Sequence, residues 1–206
     1  MMILTRPGKS TPQQMQDKAE IKELLEFERF CRDNALWDEM KKCFAPDSTV
    51  DISWYQGSGH GFVDASSKMA ARAPHKIHNT QMWLNGNKAV AIMMTSIQNR
   101  SVVEGVPMDL SSDAKLVYRA VKREGLWYVF SFTSIYEQDS LVPAYPCGAV
   151  SLPEGALDGY RKSYAALCYT MGRSNTRPIN DGLAGIDRPD LVEKLYRETD
   201  AWLCKP

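Results

Sequence analysis

"APHKIHNTQMWLNGNKAVAI", residues 73 to 92, sets the frame for the rest of the chain. Two β-rich runs flank "NGN", and Asn-Gly between such runs is a hairpin signal. The pattern continues downstream. Strands are predicted over 76–84, 88–100, 113–122 and 126–137, separated by that turn, a loop around Gly105 and Pro107, and a turn at Gly125. Upstream, "STVDISWY" (48–55) reads as a short strand, the Gly-rich "QGSGHGF" as a loop, and "DASSKMAARA" (64–73) as a small helix.

Helical patterns bracket this meander. Residues 1 to 10 read as a loose tail. Thr11, Pro12 and Gln14 then form a helix start, with Thr as N-cap, Pro in the first turn and Gln completing a capping box. Ile21, Leu24, Leu25 and Cys31 make an apolar stripe to about Asp33, with charges opposite. "LWDEMKKCF" gives a second helix, stopped by Pro46 and Asp47, while Asp38, Asp47 and Asp51 read as exposed or capping residues. "VPAYPCG" (142–148) ends the sheet. Tyr160, Tyr164, Leu167 and Met171 recur at helical spacing, with Gly172 as C-cap. A last helix has Asp187 as N-cap and Leu191, Leu195 and Trp202 on its apolar side. Helices, then an antiparallel meander, then helices imply an α+β fold with helices on one face of a curved sheet. The expected division is a domain over 11–146 and a C-terminal helical extension over 147–206, acting as a lid or an oligomer contact. Burying the extension's stripes favours a homo-oligomer with closed symmetry, a trimer or a dimer.

Charge excludes some partners. The 206 residues carry 25 basic and 25 acidic side chains, so nothing draws the chain to nucleic acid or an anionic membrane. The start, "MMILTRPGKSTPQQ", lacks the apolar segment of a signal peptide, and no stretch is long enough to span a bilayer; a cytoplasmic location is expected. Cys31, Cys43, Cys147, Cys168 and Cys204 match no zinc or Cys-x-x-Cys spacing.

His75 and His78 differ by an odd number, so a regular strand points them to opposite faces and they do not share a metal ion. No metal and no cofactor are expected. On the same alternation His75 shares a face with Ile77, Asn79, Gln81 and Trp83, a pocket-like mixture, while His78 faces out. His75 reads equally well as a satisfied polar residue at a strand end or as a base. His60 reads as part of a flexible loop. Trp54 and Tyr55 alternate, so one of them faces the interior. Tyr118 lies on a central strand with a hydroxyl to donate. Phe130 and Phe132 share a face as core or pocket wall.

Several stretches carry a family resemblance. "DNALWDEMKKCFAPDSTVDI" resembles the SnoaL-like pattern of an Asp before a Trp-Asp pair, a second helix, "F-x-P-D-A" and a strand. "PHKIHNTQMWLNGNKAVAI" is similar to the group's "H-x-x-x-N" strand and turn, and "KREGLWYVFSFT" to its "x-x-G-x-W" hairpin. Over residues 15 to 140 the chain thus resembles the SnoaL-like group of the nuclear transport factor 2-like superfamily. This resemblance implies a cone-shaped α+β barrel, its mostly antiparallel sheet wrapped on the N-terminal helices. The group's lyases, among them scytalone dehydratase, bile-acid 7α-dehydratase and lindane dehydrochlorinase, use an Asp–His pair in a closed apolar cavity without a cofactor. The pair falls on Asp33 and His75. Two features depart from scytalone dehydratase: residues 86 to 141 hold no second histidine, and Arg32 stands where that enzyme has Tyr.

The resemblance therefore implies a cofactor-independent dehydratase-type lyase, or an isomerase, acting on an apolar cyclic molecule of steroid or polyketide type. His75 would be the base, Asp33 its partner, and Tyr118 or Tyr55 a hydrogen-bond donor. Trp54, Tyr55, Asn79, Phe130 and Phe132 would contact the substrate. The alternative is a binding or assembly protein using the same cavity without chemistry.

Overall fold

The computed structural model describes residues 2–69, 73–145, 152–174 and 180–205. Helix α1, Pro12–Asn34, starts as its sequence dictates. The Thr11 hydroxyl accepts from the Gln14 N–H at 3.2 Å, and the Gln14 amide oxygen accepts from the Thr11 N–H at 2.9 Å. It ends on Ala35 in the left-handed region, at φ 59°. Helix α2 follows at Trp37–Lys42. Pro46 and Asp47 do not stop a helix but lie within strand β1, Phe44–Ile52. The register with its neighbour shifts between Phe44 and Thr49, so Pro46 withholds no ladder bond.

The Gly-rich stretch is structured rather than a loop. It supplies strand β2, Tyr55–Ser58, and the start of helix α3, Gly59–Ser67, capped by the Ser58 hydroxyl. A Cβ at Gly59 would lie 2.2 Å from Ser48 Oγ and 2.6 Å from the Phe44 ring, so only glycine lets α3 sit this close to β1. The predicted helix over 64–73 is thus shifted toward the N-terminus, and its residues 70–72 lie outside the described residues.

The meander follows: β3, His75–Asn85; β4, Lys88–Val103; β5, Val106–Arg123; β6, Leu126–Pro143. The strands run longer than predicted. The Gly105 loop is a tight turn through Glu104 and Gly105 (φ 49° and 80°), and Pro107 already pairs with Val102. The sheet order is β2-β1-β6-β5-β4-β3. Every pairing is antiparallel except β1 with β6, which makes the curved sheet mixed.

Extra residues interrupt the ladders at His78, Phe130 and Glu137. Each such bulge bends the strand and exchanges the faces of the side chains beyond it.

Both faces of the sheet are covered. On the inner face Ile21, Leu25, Met40 and Phe62 of the helices meet Leu116, Tyr118 and Phe132. On the outer face Trp83, Val90, Ile92, Val117 and Ile135 lie under helix α5, Pro189–Cys204, which applies Leu191, Leu195 and Leu203. Two-sided burial explains the unbroken apolar run of "AVAIM", residues 89–93, on β4. The N-terminal segment is not loose. Ile3 is fully buried against the outer face, and Thr5 O accepts from Trp83 Nε1 at 2.9 Å.

Helix α4, Ala165–Ser174, lies across the open end of the inner face. Gly172 falls inside α4 rather than capping it. Asp187 does not cap α5, whose N-cap is Arg188. The Asp187 carboxylate instead accepts from Arg161 and from the Ser163 hydroxyl, tying the segment before α4 to the one before α5. Of the "VPAYPCG" boundary, residues 146–148, Cys147 included, lie outside the described residues. Among the described residues no helix is long and apolar enough to cross a membrane.

Candidate functional site

The last turns of α1 carry the site. The stripe begun by Ile21 and Leu25 continues through positions 28, 29 and 32, which here are Glu28, Arg29 and Arg32, all buried. Asp33 stands one residue further round, against the first residue of β3. Its carboxylate accepts twice from His75: Oδ2 from the backbone N–H at 2.8 Å, and Oδ1 from Nδ1–H at 2.7 Å. The second bond assigns the tautomer and leaves the Nε2 lone pair bare of a proton. Arg29 Nη1 approaches that nitrogen at 3.3 Å. Behind it, Arg29 pairs through Nε and Nη2 with Glu28, which is fully buried and also accepts from the Tyr118 hydroxyl at 3.3 Å.

The electrostatics favour a neutral imidazole beside an ionised carboxylate. Burial pushes the His75 pKa down; the bond to Asp33 opposes this, and the positive charges of Arg29 and Arg32 add to it, for a net fall. Burial pushes Asp33 up, but the hydrogen bonds from His75 and the charge of Arg29 outweigh it and hold the carboxyl below its ordinary value. Burial raises the Tyr118 phenol well above its usual value, so it stays protonated.

His75, Arg29 and Arg32 form one end of a cavity of about 100 Å³. Trp54, Phe62 and Phe132 give it an aromatic wall, and Leu167, Thr170 and Met171 of α4 close it. Asp33 does not line it. The carboxylate reaches His75 from a groove between α1 and β3 on the other side of the ring.

The sequence-predicted contacts divide. Trp54 and Phe132 are on the cavity wall. Phe130 is not: the bulge at Phe130 breaks its alternation with Phe132, and its ring stacks on Trp202 of α5 at 5.7 Å between centroids, outside the sheet. Asn79 is exposed, because the bulge at His78 breaks the regular alternation that joined it to His75; the same shift sends Trp83 to the outer face. Tyr55 lies outside the cavity with its hydroxyl donating to Ser58 O at 2.9 Å. Tyr118 stacks beneath Phe132 and is absent from the cavity lining, being committed to Glu28.

His78 points away, its Nε2 on the Ser96 hydroxyl, which donates to Asp113. His60 is in α3 rather than a flexible loop, with a ring nitrogen 3.3 Å from Phe44 O. Among the described residues no three His, Cys, Asp or Glu side chains converge as a metal site would require. Sequence reasoning missed Arg29 and Arg32. The available signal was the continuation of the apolar stripe into charged residues at buried positions.

Known proteins share this architecture. The chain is 27% identical over 203 residues to a PEP2-like protein of Fusarium vanettenii, covering 91% of this chain and 85% of that one. It is 25% identical over 159 residues to pea pathogenicity protein 2 of the same fungus, covering 74% and 68%. Among solved structures, a hexachlorocyclohexane dehydrochlorinase (LinA type 2) superposes with a TM-score of 0.58 at 16% identity, over 71% of this chain and 99% of that one. A putative scytalone dehydratase of Novosphingobium aromaticivorans superposes at 0.54 with 14% identity, over 69% and 100%. At those identities the likeness is one of fold. The match to the SnoaL-like domain runs over residues 13–133, well over half of the sequence. From α1 to the middle of β6, around the His75 cavity, the chain belongs to the SnoaL-like domain family.

Proposed function

We propose that the chain is a lyase of dehydratase type, or an isomerase, working on a cyclic small molecule with His75 as general base and no cofactor. The observation that carries this reading is the double acceptance by Asp33 from His75, which holds a neutral imidazole at the end of the cavity beneath α4. Nε2 takes a proton from a carbon next to an electron-withdrawing group. The C–H electron pair forms the new C=C bond as the leaving group departs with its own pair. The proton then passes to that leaving group, giving water from a hydroxyl or an acid from a halide. In an isomerase the proton returns to a different carbon. Asp33 steadies the imidazolium between the two transfers, as the buried carboxylate of a hydrolase triad does. The closure by α4 keeps solvent from quenching the intermediate. The likeness in fold to a dehydrochlorinase and a scytalone dehydratase-like protein supports this class of chemistry.

The rival reading, a binding protein without turnover, is favoured by one contact. Arg29 Nη1 already occupies the approach to Nε2. The setting proposed is a cytoplasmic homo-oligomer. The four described cysteines are unpaired thiols, which suits a reducing compartment, and the exposed Phe27–Phe30 pair on α1 offers an apolar contact.

The test is turnover of cyclic β-hydroxy ketones and halogenated rings, followed by mass spectrometry for loss of water or acid. His75→Ala is expected to lower the rate by about 10² to 10⁴, the usual contribution of a general base. Asp33→Asn is expected to cost on the order of 10² or more, and the double variant little beyond His75→Ala alone. His78→Ala is expected to be mild. A folded His75→Ala protein with an unchanged rate ends the reading.

A further inference from the structure

The cavity wall is unevenly charged. Two arginines reach it, Arg29 at 3% and Arg32 at 5% exposure, and none of its described lining residues is acidic. The compensating carboxylates lie behind the wall: Glu28 is sealed under Arg29, and Asp33 faces the groove on the far side of His75. The remaining wall is aromatic and aliphatic, from Trp54, Phe62, Leu110 and Phe132.

Arg29 is held in one pose. Glu28 takes Nε and one hydrogen of Nη2, and the guanidinium lies 5.0 Å from the Phe132 ring centroid and 5.9 Å from that of Phe62. A guanidinium has five N–H donors. Two go to Glu28 and a third makes the long contact to His75 Nε2, so two are left on a side chain that is almost wholly buried and borders the cavity. Buried donors without acceptors are costly, which makes their presence informative.

We infer that the ligand of this cavity is a ring compound bearing an anionic oxygen group, a carboxylate or its equivalent, that docks on Arg29 with Arg32 alongside while its ring lies against Phe62 and Phe132. The inference rests on the His75 site proposed above and narrows its substrate from an apolar ring to a ring acid. It also gives the Arg29–His75 contact a role. An acid oxygen accepts a shorter, charge-assisted bond from Arg29 than the imidazole does. Docking of the acid therefore draws Nη1 off Nε2 and frees the lone pair of the base when a ligand is present. Arg29 is then a binding residue in contact with the ligand and an unmasking residue for His75.

The cavity volume suits a single small ring, so the probe is benzoate, with neutral benzamide as its isostere. Calorimetry on the full chain gives the two affinities, and nitrogen NMR follows the His75 ring. Benzoate is expected to bind at least about tenfold more tightly than benzamide, because with benzoate both partners of the Arg29 bond are charged and the fork can engage both oxygens. The His75 Nε2 signal is expected to move with benzoate and not with benzamide. Arg29→Lys keeps the charge but loses the fork, and is expected to cut the preference to roughly threefold or less. Where that variant does not fold, Glu28→Gln combined with Arg29→Gln removes both buried charges and carries the same expectation. Equal binding of the two probes by the wild-type chain overturns the inference, as does a benzoate preference that survives in a folded Arg29 variant. The readout needs no turnover. An anion preference without catalysis refutes the base and leaves the acid site standing; turnover of neutral rings without that preference does the reverse.

Discussion

His75 and Asp33 set the pH response at the scale of single residues. The folded His75 pKa lies below its ordinary 6.5, so its share of stability is whole above about pH 6.5 and is lost as pH falls toward the folded value. The Asp33 share is present above its ordinary 3.8 and goes only as pH falls through its own lower value. The proposed base accordingly stays neutral, and the acid limb of the proposed activity is expected below pH 6.5, with a His75 NMR titration giving the same midpoint. In Asp33→Asn the midpoint is expected to drop further, because the contact that raises it is gone. A limb at or above 6.5 in the wild-type chain refutes this account. The pairing of these two residues was legible through the family resemblance; spacing alone does not bring positions 33 and 75 together. The pocket roles of Asn79 and Phe130 were misread for a local reason. Strand alternation is a sound rule only while the ladder is regular, and nothing in "HKIHNTQ" or "VFSF" announces an inserted residue.

At the scale of elements, α4 depends on a strand for its start. Asp139 of β6 accepts from the Leu167 N–H at 2.7 Å, an acceptor supplied across space to the first turn. Burial raises the Asp139 pKa, and the bonds from the Leu167 and Ala166 backbone only partly offset that. Asp139→Ala is expected to cost about 1 kcal/mol, the usual worth of a helix cap. Hydrogen exchange is expected to quicken at Leu167 and its neighbours while β4 and β5 stay protected. Uniform loss of protection throughout the chain would mean that Asp139 supports the global fold instead. Such a long-range cap has no local signature, which is one reason the start of α4 was placed too early. The capping box of α1 was legible because all its parts lie within four residues.

At the scale of the whole molecule, the order of helices, meander and helices was readable, since period and turn residues are local. The parallel β1–β6 pairing and the outer position of α5 were not, since both are choices among distant surfaces. α5 covers Trp83, Val90, Ile92, Val117 and Ile135, each contributing about 1.5–3 kcal/mol by burial. A chain cut near residue 150 exposes that face and opens the cavity at α4. It is expected to melt at lower temperature and to aggregate, as read by calorimetry and light scattering. A truncated chain as stable and soluble as the full one would show that α5 is dispensable to the sheet.

The two bulges on β6 behave like a pair of compensating frameshifts. Between them, Phe132, Ser134 and Tyr136 face the cavity; before and after them the inward positions are Trp127, Val129 and Leu141. Deleting Phe130 alone would remove the extra residue and make the ladder regular, with Val129, Ser131 and Phe132 still opposite Ala120, Arg119 and Tyr118 and Phe132 still inward. Deleting Glu137 would do the same at the far end, where Tyr136 and Gln138 keep Ala114 and Asp113 as partners, so either deletion costs the local bend and not the faces. The face that β6 turns to the cavity is therefore set by its partners on β5 and not by counting along its own sequence, so the strand absorbs a one-residue gap at either bulge where a regular strand would reverse every side chain beyond it.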